Sequence, residues 1–389
     1  MNILLYTWLG SYTDDDIERH IRGMGINCRR IEDTQVCNGD RYHNDEFCRS
    51  FEKILEDADY DCVFTTNFLP LIARVCYKKD IPYIAWSYDS PPNLASLEEM
   101  DHPTNHIFFF SKDDVEDYRS QGLDTVWHMP LAVDTDKWDA IKTAGRDIDV
   151  SLVGRLYSST LPVLMSRMSA EQQQFFKTLT DLQLKTYDRN ILKEFITDGI
   201  AQEICRTYEA DEDATLRPTR KQLLYSASTY VSHLDRLLLL RVLSKKFDTH
   251  LYSTDTEADY KSMLPNVKFH GPVSYEKGMP EVFKSSKVNL CPIFRENVSG
   301  IPLRILDVCG CGSFVLSSFC PEVAEYFREG KEAVMYRSAE EAFEKVEYYL
   351  KHGDERESIA RGGYERVKAD FSYDDRIRRM LTQAGVLKK

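Results

Sequence analysis

Apolar residues along the first third of the chain follow two different spacings. Short apolar runs occupy residues 1–8, 62–66, 83–86, 106–110 and 125–129, and the mixed stretch 26–31 stands where a further strand is expected. Between them, apolar residues recur every three or four positions among charged ones, at 46–56, 69–79 and 113–121 and onward from Thr13. Continuous runs of this length suit strands buried on both faces, and the wider spacing suits amphipathic helices. The first helical stretch carries Asp14, Asp15 and Asp16 in its opening turn, where carboxylates complement the helix dipole. Strand and helix in alternation predict a parallel, doubly wound sheet, in which ligands sit beyond the carboxyl ends of the strands. That rule directs attention to residues 9–11, 67–68, 88–92 and 111–112.

The pattern breaks at residues 130–146, which lack strong periodicity and read as a linker, and it resumes with a second strand series at 148–153. This strand ends in Gly154-Arg155. The glycine permits a tight turn, and the arginine can reach a phosphate; read from the residues alone, Gly154 serves equally as an ordinary turn residue. Residues 159–246 are helix-rich, poor in glycine and too long for one crossover helix, so they predict a helical elaboration whose Met and Leu stripes form core. Strands follow at 249–252, 267–271, 287–291 and 332–336, then helices to the end. A chain of 389 residues accommodates two domains with separate cores. The expected division is 1–138, then 139–370 with its insertion, then a helix at 371–389 that crosses back to the first domain.

Candidate chemistry concentrates at residues 295–327. Ser299-Gly300 gives a flexible, capping entry, and Pro302 suits the first turn of a helix. Leu303, Leu306 and Cys309 keep helical spacing, Gly312 can end the helix, and residues 314–316 form a short strand. Unpaired N–H groups at such a helix start, with the positive end of its dipole, suit a phosphate. Asp307 lies further along, where a carboxylate can accept hydrogen bonds from ribose hydroxyls. Spaced three apart, Arg304 and Asp307 also fit a plain helix-surface ion pair.

This segment resembles the donor-sugar signature of GT-B glycosyltransferases, especially the group similar to the spore maturation protein CgeB. The resemblance rests on Ser299, Gly300, Pro302, Arg304, Asp307, Gly310 and Gly312. Ser299 stands where the wider group carries the first of two glutamates eight residues apart, so a role for that carboxylate does not transfer. The segments 148–157 and 267–273 are similar to the family as well. The resemblance implies two Rossmann-like domains facing across a cleft. It implies a donor site built from Gly154, Arg155, His270, Gly271, Pro272, Val273, Ser299, Gly300, Ile301 and Asp307, and Arg304 beside the leaving group. Asp89 resembles an aspartate-proline element of the first domain and is the candidate acceptor-side base. From the residues alone, Asp89 before Ser90-Pro91 is also a common turn or cap, and His270 at a strand end is also a structural hydrogen-bonding residue.

The implied reaction is sugar transfer from a nucleoside diphosphate sugar to a protein or saccharide acceptor, with the donor as substrate and no cofactor. Competing expectations are a nucleotide-sugar epimerase of the same architecture and a non-catalytic nucleotide-sugar-binding or structural protein. Composition narrows the partners. A net charge of −13 argues against a nucleic-acid backbone or an anionic membrane as main partner. No apolar run approaches the roughly 20 residues that span a bilayer, and the first residues lack a signal-peptide pattern, so a cytoplasmic location is expected. The ten cysteines lie scattered in apolar segments, as small hydrophobes do in a reducing compartment. Cys309 and Cys311 lack the spacing of a zinc pair, no clustered histidines accompany them, and no metal site is expected.

Overall fold

The computed structural model describes residues 1–8, 10–33, 40–92, 94–209 and 217–388. The chain divides into two compact units, the first comprising Met1–Thr135, Gly300–Leu306 and Val367–Lys389, the second Asp136–Ser299 and Asp307–Arg366. The dividing line therefore passes through the 295–327 segment, which a boundary near residue 138 had counted wholly with the second domain.

The first unit holds six parallel strands: β1 (Asn2–Trp8), β2 (Asn27–Asp33), β3 (Cys62–Thr66), β4 (Tyr83–Ser87), β5 (Asn105–Phe109) and β6 (Val126–His128). Their order is β2-β1-β3-β4-β5-β6. Ile3, Leu4 and Leu5 are fully buried, as residues of an inner parallel strand must be when helices cover both faces. The chain leaves β1 for β2 and returns on its other side at β3. That reversal opens a crevice at the carboxyl ends of β1 and β3.

The last helix, Tyr373–Gln383, also packs in this unit. The buried Arg376 donates to the carbonyls of Pro130 (3.2 Å) and Asp370 (2.5 Å), and Val133 N–H donates to Phe371 O at 2.9 Å. His20 on the first helix faces Asp374 Oδ1 at 2.7 Å and Asp134 Oδ2 at 3.1 Å, with its ring stacked on Tyr373.

The second unit repeats the plan with β7 (Ile148–Val153), β8 (Thr249–Tyr252), β9 (Lys268–His270), β10 (Ser286–Cys291), β11 (Val315–Ser318) and β12 (Val334–Tyr336). All pairings are parallel and the order is β12-β11-β10-β7-β8-β9, so the reversal falls between β7 and β10. A short helix, Thr135–Asp139, lies in the stretch read as an irregular linker. Its Trp138 is buried, and Lys284 Nζ donates to the carbonyls of Trp138 and Ile141. That tertiary anchoring, invisible as periodicity, selects the helix.

Between β7 and β8 stand the helices Leu161–Met165, Ala170–Lys185, Ile191–Phe195, Asp198–Glu209 and Arg220–Leu243; residues 210–216 of the insertion lie outside the described residues. Reciprocal capping by Ser169 with Gln172 and by Thr219 with Gln222 starts two of them. The insertion has its own core of Leu161, Phe176, Leu192, Ile204 and Leu223. The 24-residue helix Arg220–Leu243 serves two cores. Its first half packs in the insertion through Leu223, Ala227 and Val231, whereas Leu239, Leu240 and Leu243 pack with Val150, Leu251 and Val288 of the sheet. Each fully buried side chain of this kind contributes about 1.5–3 kcal/mol, so the helix rigidly couples insertion to sheet.

Candidate active site

The carboxyl ends of β1, β3 and β4 line a cavity of about 360 Å³ in the first unit. Two short polar side chains shape it. Asp14, buried at the start of the first helix, accepts from Ser11 N–H (2.7 Å) after β1 and from Thr66 Oγ1 (2.5 Å) at the end of β3. Its burial raises the carboxyl's pKa above the usual range, against the opposing effect of those hydrogen bonds. Asn67 adopts φ +64°, a left-handed conformation that asparagine tolerates. Its Oδ1 accepts from Ser87 Oγ (2.9 Å) and Tyr88 N–H (3.1 Å), and its Nδ2 donates to Asp89 Oδ2 (2.9 Å). Asp89 is thereby aimed by a neighbour that is itself fixed to β4. It lines the cavity mouth and keeps a solvent-exposed edge. Desolvation raises its pKa, and the Asn67 bond only partly offsets this.

In the second unit the corresponding strand ends are tied by buried charge. Gly154, after β7, has φ +148°, and a Cβ there would stand 3.4 Å from the Arg236 guanidinium. Arg236 reaches in from the helix Arg220–Leu243 and is 8% exposed. It donates to Arg155 O at 2.5 Å and to Pro292 O at 2.7 Å, joining the loops that follow β7 and β10 on either side of the reversal. Its guanidinium also lies 4.5 Å from the ring centre of Tyr157. Beside it, Asp235 pairs with Arg295 at 3.2 Å, both 5% exposed. Arg295 donates further to the carbonyls of Leu184 and Thr186 and covers the Tyr187 ring at 3.5 Å. Tyr187 in turn donates to Asp235 Oδ1 at 3.2 Å.

The residues singled out from the sequence fall at these strand ends. Arg155 is exposed beside Gly154 at the end of β7. His270 closes β9, exposed, with its ring stacked 4.4 Å from that of Tyr252 and its Nε2 3.1 Å from His250 Nδ1. Desolvation and the neighbouring His250 lower its pKa, which favours the neutral ring. Gly271 and Pro272 follow, exposed, and Val273 packs against Gly278. Ser299 is buried after β10, as is Ile301. Gly300 has φ +87°, and a Cβ there would lie 2.7 Å from the Phe110 ring, so both conformation and space demand glycine. The helix Leu303–Gly310 carries a half-buried Arg304 and a buried Asp307, and Gly312 (φ +62°) follows it. Asp307 accepts the Tyr275 hydroxyl at 2.9 Å. At 2% exposure it is not the solvent-facing partner that a plain helix-surface pair would require.

Asp89 stands in the first unit, whereas Gly154, Arg155, the 270–273 loop, Ser299 and Asp307 stand in the second; Gly300, Ile301 and Arg304 are grouped with the first. Among the described residues, no group of three or more His, Cys, Asp or Glu is arranged to hold a metal ion. Nor is any helix among them long and apolar enough to cross a membrane.

Residues 233–382 match the family model described as glycosyl transferase-like. The match begins within the helix that carries Asp235 and Arg236 and runs through His270, the Ser299–Asp307 motif and the last helix; it leaves out Gly154 and most of the first unit. No curated protein matches the chain by sequence. Among solved structures, a glycosyltransferase from Rickettsia africae is 11% identical, with 100% of this chain and 99% of that chain covered and a TM-score of 0.60. Sucrose-phosphate synthase from Thermosynechococcus elongatus is 10% identical over 98% of each chain, at 0.58. Anabaena HepE in complex with UDP and glucose is 11% identical over 100% of each chain, at 0.57. These likenesses, with the two parallel six-stranded sheets, establish the fold as GT-B, two Rossmann-like α/β domains.

Sequence reasoning marked Asn67 only as part of a strand-end loop and Asp14 only as a helix-start carboxylate, and it did not single out Arg236 or the Asp235–Arg295 pair. For Asp235 and Arg236 a signal existed: adjacent opposite charges interrupt the apolar 230–243 stretch, which marks charges carried inward.

Proposed function

We propose that the protein is a glycosyltransferase that moves a sugar from a nucleoside diphosphate sugar to an acceptor without a metal ion. The observation that carries the reading is the glycosyl transferase-like match over residues 233–382, which takes in the loops after β8, β9 and β10. There Arg236 holds the Gly154–Arg155 turn against the loop after β10. That HepE binds UDP and glucose supports a donor of the same class for this chain. The likeness of the 299–312 segment to the CgeB-like group belongs to this proposal too.

In this scheme the donor's diphosphate lies at the Gly154–Arg155 turn and the Ser299–Gly300 loop. As the sugar–oxygen bond breaks, negative charge builds on the departing diphosphate, and backbone N–H groups with Arg155 and Arg304 stabilise it. Asp307 accepts from the ribose, and the 270–273 segment borders the base. Asp89 takes the proton from the acceptor's attacking hydroxyl; its raised pKa makes it a better base than an ordinary aspartate, and Asn67 keeps it oriented.

A screen of UDP, GDP, ADP and dTDP sugars by thermal shift and slow hydrolysis, in EDTA, tests the reading. One donor class should raise the melting temperature and be hydrolysed in the chelator. Binding of none refutes the donor site. Hydrolysis that stops in EDTA and returns with Mg²⁺ or Mn²⁺ refutes metal independence.

A further inference from the structure

The cavity of the first unit is lined by a guanidinium that has no ion-pair partner among the described residues. Arg41 lines it together with Asp89. Its guanidinium carbon lies over Trp8, 4.1 Å from the ring centre, and among the described residues it forms no ion pair. The carboxylates nearest in sequence or sharing the cavity are engaged elsewhere. Asp40 accepts from the backbone N–H groups of Tyr42 and His43, at 2.8 and 3.2 Å. Asp89 accepts from Asn67. Residues 34–39, just before Asp40, include no acidic residue. Trp8, lining the same cavity, buries its indole N–H without a hydrogen-bond partner among the described residues.

A guanidinium stacked on an indole keeps its in-plane N–H groups available, and their fork matches the paired oxygens of a carboxylate or phosphate. The other lining groups are those of a sugar site: hydroxyls of Ser11 and Tyr88, and the Asn67–Asp89 pair. The cavity falls within the size range of small-molecule sites, large enough for a ring to turn a hydroxyl to Asp89 while its charged group meets Arg41. We infer that this pocket takes an anionic saccharide, one bearing a carboxylate or phosphate that Arg41 holds. Calling that saccharide the acceptor rests on the glycosyl-transfer reading; its binding does not.

The full-length protein is titrated calorimetrically with methyl β-D-glucuronide, glucose 6-phosphate, methyl β-D-glucoside and inorganic phosphate. At least one charged sugar should bind about tenfold or more tightly than the neutral glucoside, and than phosphate alone. The tighter of the two charged sugars identifies carboxylate or phosphate as the group. Arg41→Gln should erase the preference with an unchanged melting temperature, and Arg41→Lys should restore part of it. Equal affinity for charged and neutral sugars, a preference that survives Arg41→Gln, phosphate binding as tightly as the sugars, or binding of no sugar overturns the inference. The donor screen is independent of these titrations, so a protein that hydrolyses a nucleotide sugar but shows no charge preference loses this inference alone.

Discussion

Both sheets reverse at an inner strand, yet the two units finish their strand ends in opposite ways. In the first, Asp14, Asn67 and Ser87 shape a cavity lined by Arg41, which forms no ion pair among the described residues. In the second, the buried Arg236 of the helical insertion joins the loops after β7 and β10, and the buried Asp235–Arg295 pair ties the loop after β10 to the insertion. The same topology thus yields a rim that awaits its ligand and a rim fixed before any ligand arrives. The contrast suits a reaction in which one substrate presents a constant diphosphate and the other an individual acceptor.

The largest effect expected from breaking the contrast is at the buried pair. Asp235→Ala leaves Arg295 charged and buried without its carboxylate, which should cost the second unit about 3–5 kcal/mol in denaturant unfolding. A loss below about 1 kcal/mol would mean that the rim is not braced by this charge.

Asp307→Asn comes next. If its carboxylate meets the ribose, nucleotide affinity should fall by about 1–3 kcal/mol in calorimetry. Unchanged affinity with a lowered melting temperature would confine Asp307 to its contact with Tyr275.

The smallest effect concerns His20, where the first unit relies on a titrating group. Burial disfavours its charged form, but Asp134 and Asp374 outweigh that cost and raise its pKa above the ordinary histidine value. A raised folded pKa gives stability that is complete below the unfolded value, near pH 6.5, and is lost as pH rises through the folded value. Wild-type stability should therefore decline by up to about 1 kcal/mol between roughly pH 6 and 8 relative to His20→Gln. Parallel pH profiles of the two proteins would rule this out.

The fold was legible because inner parallel strands require continuous apolar runs, and residues 1–8, 62–66 and 83–86 supply them without ambiguity. The helix Thr135–Asp139 was not, since its cause is the burial of Trp138 and the grip of Lys284, 146 positions from Trp138. Of the candidate site, loop positions such as Gly154 and Gly300 stand out in a sequence because backbone geometry restricts them to glycine. Asn67 does not. Its importance arises only when β3 and β4 lie side by side and bring Ser87, Tyr88 and Asp89 around one amide. Arg41 likewise gains meaning from Trp8, 33 positions away, and from the acidic partners it lacks.

The division of labour between the two rims is tested most directly in Asp89→Asn, by measuring nucleotide affinity and sugar transfer in one preparation, with slow donor hydrolysis standing in where water replaces the acceptor. The account predicts unchanged nucleotide affinity, because Asp89 is proposed to meet the acceptor and not the nucleotide, and a rate lower by about 10²–10⁴. A folded Asp89→Asn protein that has lost its nucleotide affinity, or one that transfers sugar at the full rate, would contradict it.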